Sequence, residues 1–237
     1  MTTVVLVHGA FHGAWCWERV ALGLEGCGVD VRAVDLPGHG ACTKPLGDLA
    51  ASAGVVQDAV LSCPGPVIVC GHSFGGAIMS EGVPKDPRVA HLVYLAAIVP
   101  DAGENTVEAL GVEAARELLA SMGESSVDGL HVDTERAVGT FYHDCDSETA
   151  RWAAAQLGPE SAIALGTRLT HAAWREHPST YVVCDDDRAI QRQAQLRLSQ
   201  RCDEVVHWPT GHSPMLSRPD LAIELLVGLA DEIESTT

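Results

Sequence analysis

Hydrophobic positions along the chain fall into two alternating patterns. Short β-rich runs at Thr3–Val7, Val29–Val34, Val67–Cys70, Val89–Leu95, Thr180–Cys184 and Glu204–Trp208 predict strands. Most are continuously apolar, as expected of strands covered on both faces. Between them, helical spacing predicts helices near Trp15–Glu25, Leu49–Leu61, Gly75–Val83, Ile190–Gln200 and Pro214–Ile233. Pro214 suits a first helical turn, where its missing N–H costs nothing. The alternation predicts an α/β fold with a mostly parallel sheet of about six strands and helices on both faces.

The alternation breaks between Asp101 and His177. That stretch holds helical patterns at Val107–Ser121, Thr134–Tyr142 and Ser147–Leu157, and no convincing strand. A core from residues 1–100 and 178–237 is therefore expected, with residues 101–177 forming a helical cap over the sheet edge that would carry chemistry.

Composition narrows the class. A chain of 237 residues is long enough to bury a core without disulfide or metal staples. Its net charge of −17 argues against nucleic acid and anionic membranes as partners, because phosphate binding needs a basic patch. No uninterrupted apolar run reaches membrane-spanning length, and Met1–Val7 lacks the features of a signal peptide. The eight cysteines show no C-x-x-C pair or regular spacing, so a reducing, cytoplasmic location is expected.

Candidate chemistry concentrates at Gly71-His72-Ser73-Phe74-Gly75, between a predicted strand and a predicted helix. A serine there sits on a sharp turn that lifts its hydroxyl above the sheet edge, and flanking glycines avoid clashes across the turn. Its Phe74 N–H would face an anion forming beside the serine. A serine nucleophile needs a base oriented by an acid. His212 is the best base, lying in the loop after the last strand, which leaves the same sheet edge; His207 sits inside a strand pattern. The acid should follow a strand between serine and histidine. Asp185, Asp186 and Asp187 end one such strand, and three adjacent carboxylates cannot all be buried and ionised. Asp187 is favoured; Asp185, Asp186 and Asp101 are the alternatives.

The second oxyanion donor should come from His8-Gly9-Ala10-Phe11, with Gly9 turning the Ala10 N–H inward and His8 a buried scaffold residue. His8 and His12 are four apart, but Gly9 and Gly13 argue against the helix a metal pair would need, so no metal is expected. Phe11, Phe141 and Tyr142 are candidate substrate-binding residues for an apolar pocket. Trp152 shares the cap with them, with plain packing its alternative.

These residues resemble the α/β-hydrolase superfamily, in its branch of plant methylesterases, hydroxynitrile lyases and pyrethroid-hydrolase-type esterases. The matching segments are residues 5–17, 71–76, 95–101, 141–145 and 211–217. The resemblance implies a six-stranded core with a helical cap, no cofactor, a Ser73/Asp187/His212 triad and an oxyanion hole from the Ala10 and Phe74 amides. The favoured expectation is a serine hydrolase of a small, fairly apolar carboxylic ester. A lyase on the same triad and a ligand receptor with vestigial turnover are its rivals. Lyases of this branch carry a lysine after the catalytic histidine and a threonine in the oxyanion turn, where this chain has Ser213 and Ala10.

Overall fold

The computed structural model describes residues 1–121, 125–126 and 129–236. Six parallel strands form its main sheet: β1 (Thr3–Val7), β2 (Asp30–Val34), β3 (Val67–His72), β4 (Val89–Leu95), β7 (Ser179–Cys184) and β8 (Glu204–Trp208), in the order β2-β1-β3-β4-β7-β8. Alternate residues of each buried strand feed opposite layers. On one face Val5, Val7, Val67, Val69, Tyr94 and Tyr181 pack with α2 (Leu49–Leu61) and α3 (Gly75–Gly82). On the other, Val4, Leu6, Ile68, Cys70, Val182 and Cys184 pack with α1 (Glu18–Gly26) and α11 (Pro219–Thr236). Cys16, Cys63, Cys70 and Cys184 are buried as small hydrophobes, and all eight cysteines are free thiols. Among the described residues no helix is long and apolar enough to cross a membrane.

Several expected helices are cut where backbone chemistry demands it. The helix expected from Pro214 to Ile233 divides into α10 (Pro214–Ser217) and α11, because Pro219 has no N–H and pushes Arg218 out of helical geometry, to φ −141° and ψ 60°. Pro214 does sit in the first turn. The pattern at Val107–Ser121 divides into α4 (Thr106–Leu110) and α5 (Val112–Ser121) at Gly111, whose φ is +81°. The helix expected from Ile190 starts as α9 at Arg192, since the amides of Ala189 and Ile190 are held by Asp187. The Trp15 end of α1 is a 3₁₀ turn, Ala14–Trp17.

Between β4 and β7 lies a helical insertion holding α4, α5, α6 (Thr134–Phe141), α7 (Ser147–Gln156) and α8 (Ala162–Gly166). The sequence pattern predicts no strand there, yet β5 (Ser125–Ser126) and β6 (Gly129–Leu130) form a short antiparallel ladder, and Leu130 also pairs with Glu160. Two-residue strands are too short to leave a periodic signal.

Candidate active site

Ser73 follows β3 directly and precedes α3, with φ at +54°, a region that non-glycine residues rarely occupy. The turn is closed from both sides. The Ser73 N–H donates to the Leu95 carbonyl, and the Ser73 carbonyl accepts from the Gly76 and Ile98 amides. The glycines are steric requirements: a Cβ on Gly71 would lie 2.5 Å from Met79 Sδ, and one on Gly75 would lie 2.6 Å from the His8 carbonyl oxygen. Gly9 is equally constrained, as its Cβ would approach Ser73 Cβ to 2.8 Å.

The parallel sheet brings the β8–α10 and β7–α9 loops to the same edge. His212 Nε2 lies 3.1 Å from Ser73 Oγ, and His212 Nδ1 lies 2.8 Å from Asp187 Oδ2. A carboxylate beside Nδ1 puts the ring proton there and leaves Nε2 free to accept the serine proton. Asp187 is buried but well supplied with donors. Its Oδ1 accepts from the Ala189 and Ile190 amides at 2.7 and 3.0 Å, and its Oδ2 also accepts from Gln195 Nε2 at 2.9 Å. A buried carboxylate satisfied in this way can remain charged.

The three neighbouring aspartates separate as repulsion requires. Asp185 pairs at the surface with Arg192 and His207, and Asp186 is exposed. The arginine beside Asp185 holds its carboxyl below the usual range. Asp101 pairs with Arg175, away from His212. Gln195 escaped the sequence reading. It is a buried polar residue on a helix, and it clamps the strand end through Cys184 N–H to Oε1 at 2.9 Å as well as holding Asp187. Its only signal was a polar residue on the apolar stripe of α9.

Opposite the serine, the Gly9 carbonyl accepts from His8 Nδ1–H at 2.8 Å and from the His12 amide at 3.3 Å. The Gly9–Ala10 peptide is trans, so its Ala10 N–H points the other way. Neither the Ala10 nor the Phe74 amide donates to any carbonyl or side chain among the described residues. His8 is the scaffold residue expected: its Nε2 accepts from the Leu36 amide at 3.2 Å, and burial lowers its pKa to about 3. His72 also braces, donating from Nε2 to the His212 carbonyl at 2.7 Å, and burial holds its pKa well below the usual value.

A small cavity opens at Ser73, walled by Ala10, Phe11, His12, Phe74, Ile98, Thr106, Leu118, Phe141, Leu165 and His212. The insertion supplies Thr106, Leu118, Phe141 and Leu165. Phe11 and Phe141 thus line the cavity, but Tyr142 does not: it is fully buried, and its hydroxyl meets His12 Nε2 at 2.7 Å. Phe141 and Tyr142 part because adjacent residues at a helix end point to different sides.

Ser73, His212 and Asp187 in hydrogen-bond reach of one another, two free amides and an apolar chamber thus stand together above one edge of the parallel sheet. The chain belongs to the alpha/beta hydrolase family, whose model matches residues 4–225. It is 29% identical to "Alpha/beta hydrolase nvfD" of Aspergillus novofumigatus, covering 97% of this chain and 96% of that protein. It is also 29% identical to the pyrethroid hydrolase of Sphingobium wenxiniae, covering 98% of this chain and 88% of the relative. Among solved structures, polyneuridine aldehyde esterase matches with a TM-score of 0.87 over 97% of this chain and 99% of the other, at 20% identity.

Proposed function

We propose that this protein is a cofactor-independent serine hydrolase that cleaves a small, fairly apolar carboxylic ester through an acyl-enzyme. The observation that carries the reading is the Ser73–His212–Asp187 chain, at 3.1 and 2.8 Å, opening into an apolar cavity.

His212 takes the proton from Ser73 Oγ as that oxygen attacks the ester carbonyl. The tetrahedral oxyanion is held by the Ala10 and Phe74 amides. Collapse breaks the bond to the alkoxy oxygen, which leaves as alcohol with the proton from His212. Water, deprotonated by His212, then cleaves the acyl-enzyme and regenerates Ser73. Asp187 stays ionised, fixes the imidazole tautomer and stabilises its cation. Among the described residues the cavity wall carries no lysine, arginine or carboxylate, which supports a neutral substrate and offers a cyanide leaving group no cationic partner. Ser213, the residue after His212, is buried and uncharged. The eight free thiols support a cytoplasmic location.

The test is a panel of esters varied independently in acyl and alcohol length, assayed beside phosphate esters and cyanohydrins with chelator present. Carboxylic esters should be cleaved fastest, and Ser73→Ala should lower that rate by on the order of 10³–10⁶-fold in a folded protein. Near-full activity in the alanine variant, or cyanide release outpacing ester cleavage, would overturn the reading.

A further inference from the structure

We infer that Tyr142 and His12 form a positioning relay through which the helical insertion sets the oxyanion loop. This rests on the esterase reading, in which the Ala10 amide is an oxyanion donor.

The hydrogen-bond directions are fixed by chemistry. His12 Nδ1 lies 2.7 Å from the Ala10 carbonyl oxygen, which can only accept, so Nδ1 carries the proton. Burial lowers the His12 pKa to about 4, so near neutral pH the ring holds one proton and Nε2 is a lone pair. Tyr142, 2.7 Å from Nε2, must therefore donate. The chain of donation runs from the Tyr142 hydroxyl through His12 to the Ala10 carbonyl. With its hydroxyl present, Tyr142 selects the His12 tautomer that can hold that carbonyl. Without it, the ring can move its proton to Nε2 and turn a lone pair toward the same oxygen.

Ala10 is thus pinned on both sides. His8, in the core, holds the peptide before it through the Gly9 carbonyl, and His12 holds the peptide after it. The pinning matters because the next residue, Phe11, has φ at +69°, a strained conformation for a side-chain-bearing residue. A strained loop keeps its geometry only while its surroundings over-determine it, and an oxyanion donor displaced by a fraction of an ångström loses most of its value. Neither Tyr142 nor the His12 ring nitrogens need touch the substrate for this.

The experiment measures kcat and KM for 4-nitrophenyl acetate, and the inhibition constant of a trifluoromethyl ketone whose adduct with Ser73 carries an oxyanion. Variants are Tyr142→Phe, His12→Ala, His12→Asn and Tyr142→Phe/His12→Asn, with Ser73→Ala as control. Tyr142→Phe should lower kcat by about 10-fold and His12→Ala by about 10²-fold, the latter approaching the loss of an oxyanion donor, with KM changed only a few-fold. Ketone affinity should fall in step with kcat/KM. Asparagine places an N–H donor where Nδ1 stands and has no tautomer to select. His12→Asn should therefore recover most of the alanine loss, and Tyr142→Phe should have little further effect in that background. If Ser73→Ala is inactive while Tyr142→Phe and His12→Ala keep wild-type kcat and ketone affinity, losing only melting temperature, the relay is overturned and the esterase reading stands. If asparagine rescues no better than alanine, the relay is likewise overturned. If Ser73→Ala retains activity, the esterase reading fails and the relay with it.

Discussion

At the scale of single residues, the site distinguishes groups of identical chemistry by what surrounds them. Asp185, Asp186 and Asp187 are consecutive, yet only Asp187 is buried with four donors, while Asp185 spends its charge on Arg192 and His207. Asp187→Asn should therefore lower kcat by up to about 10⁴-fold, because an amide neither fixes the imidazole tautomer nor stabilises its cation. Asp185→Asn and Asp186→Asn should change kcat only a few-fold in the same assay. A second contrast concerns Thr106, on the cavity wall, whose buried hydroxyl has no partner among the described residues. Thr106→Val removes an unsatisfied polar atom at equal shape, so the melting temperature should hold or rise and kcat/KM should shift toward more apolar acyl chains. A clear fall in melting temperature would assign that hydroxyl a bond of its own. These residue identities were unevenly legible in the sequence. Ser73 and His212 stood out because turn chemistry and strand order announce them, and His8 because an imidazole beside a glycine turn needs partners. Gln195, Thr106 and His12 did not, since each acts through tertiary neighbours that no local pattern encodes.

At the scale of elements, β1, β4, β8 and α2 were readable to the residue, and the ends of several other helices were not. Leu49–Leu61 matches its helix end to end, with Asp48 capping its first turn through the Ala51 amide at 2.8 Å. Boundaries moved where one residue overrides a periodic pattern, as Pro219, Gly111 and Asp187 each do. A tight junction with backbone on both sides is β1 against α3 at Gly75, where an added Cβ would fall 2.6 and 2.7 Å from the His8 and Val7 carbonyl oxygens. Backbone atoms cannot step aside as a flexible side chain can. Gly75→Ala should therefore push α3 away from β1, costing about 1–3 kcal/mol in a denaturant melt. It should lower kcat as well, because the Phe74 amide moves with the helix. By contrast Gly54, on α2, has open space around it, and Gly54→Ala should stabilise by about 0.4–1 kcal/mol.

At the scale of the molecule, the cluster of buried imidazoles makes stability depend on pH. His8, His12 and His72 have folded pKa values of about 3, about 4 and well below the usual 6.5, all chiefly through burial. Below pH 6.5 the unfolded chain takes up protons that the folded chain refuses, so their stabilising effect is complete above 6.5 and is lost as pH falls toward the folded values. Each such group costs about 1.4 kcal/mol per pH unit in that window. His39 opposes this trend: burial lowers its pKa, but the Glu160 carboxylate 3.3 Å from its Nε2 outweighs that and raises it. The expected result is a urea midpoint that is flat from pH 7 to 8 and declines steeply between about pH 6 and 4.5, above the range where most carboxylates titrate. His72→Gln should make that decline shallower. An equally steep decline in the variant would place the acid sensitivity elsewhere.

The amide of Gly158, in the insertion, donates to the carbonyl of Phe11 at 2.8 Å. That single bond means the insertion is not an interchangeable specificity module laid over a self-sufficient core. Chimeras that exchange it between relatives alter two things together: the walls that discriminate among acyl groups, and a tether on the loop that serves every acyl group alike. The two contributions have different signatures. A misfitting wall reorders the substrate ranking, whereas a slack tether scales all turnover numbers down by one common factor and leaves the ranking intact. Recombination at this boundary should therefore conserve the backbone path through Gly158 before any wall residue is varied.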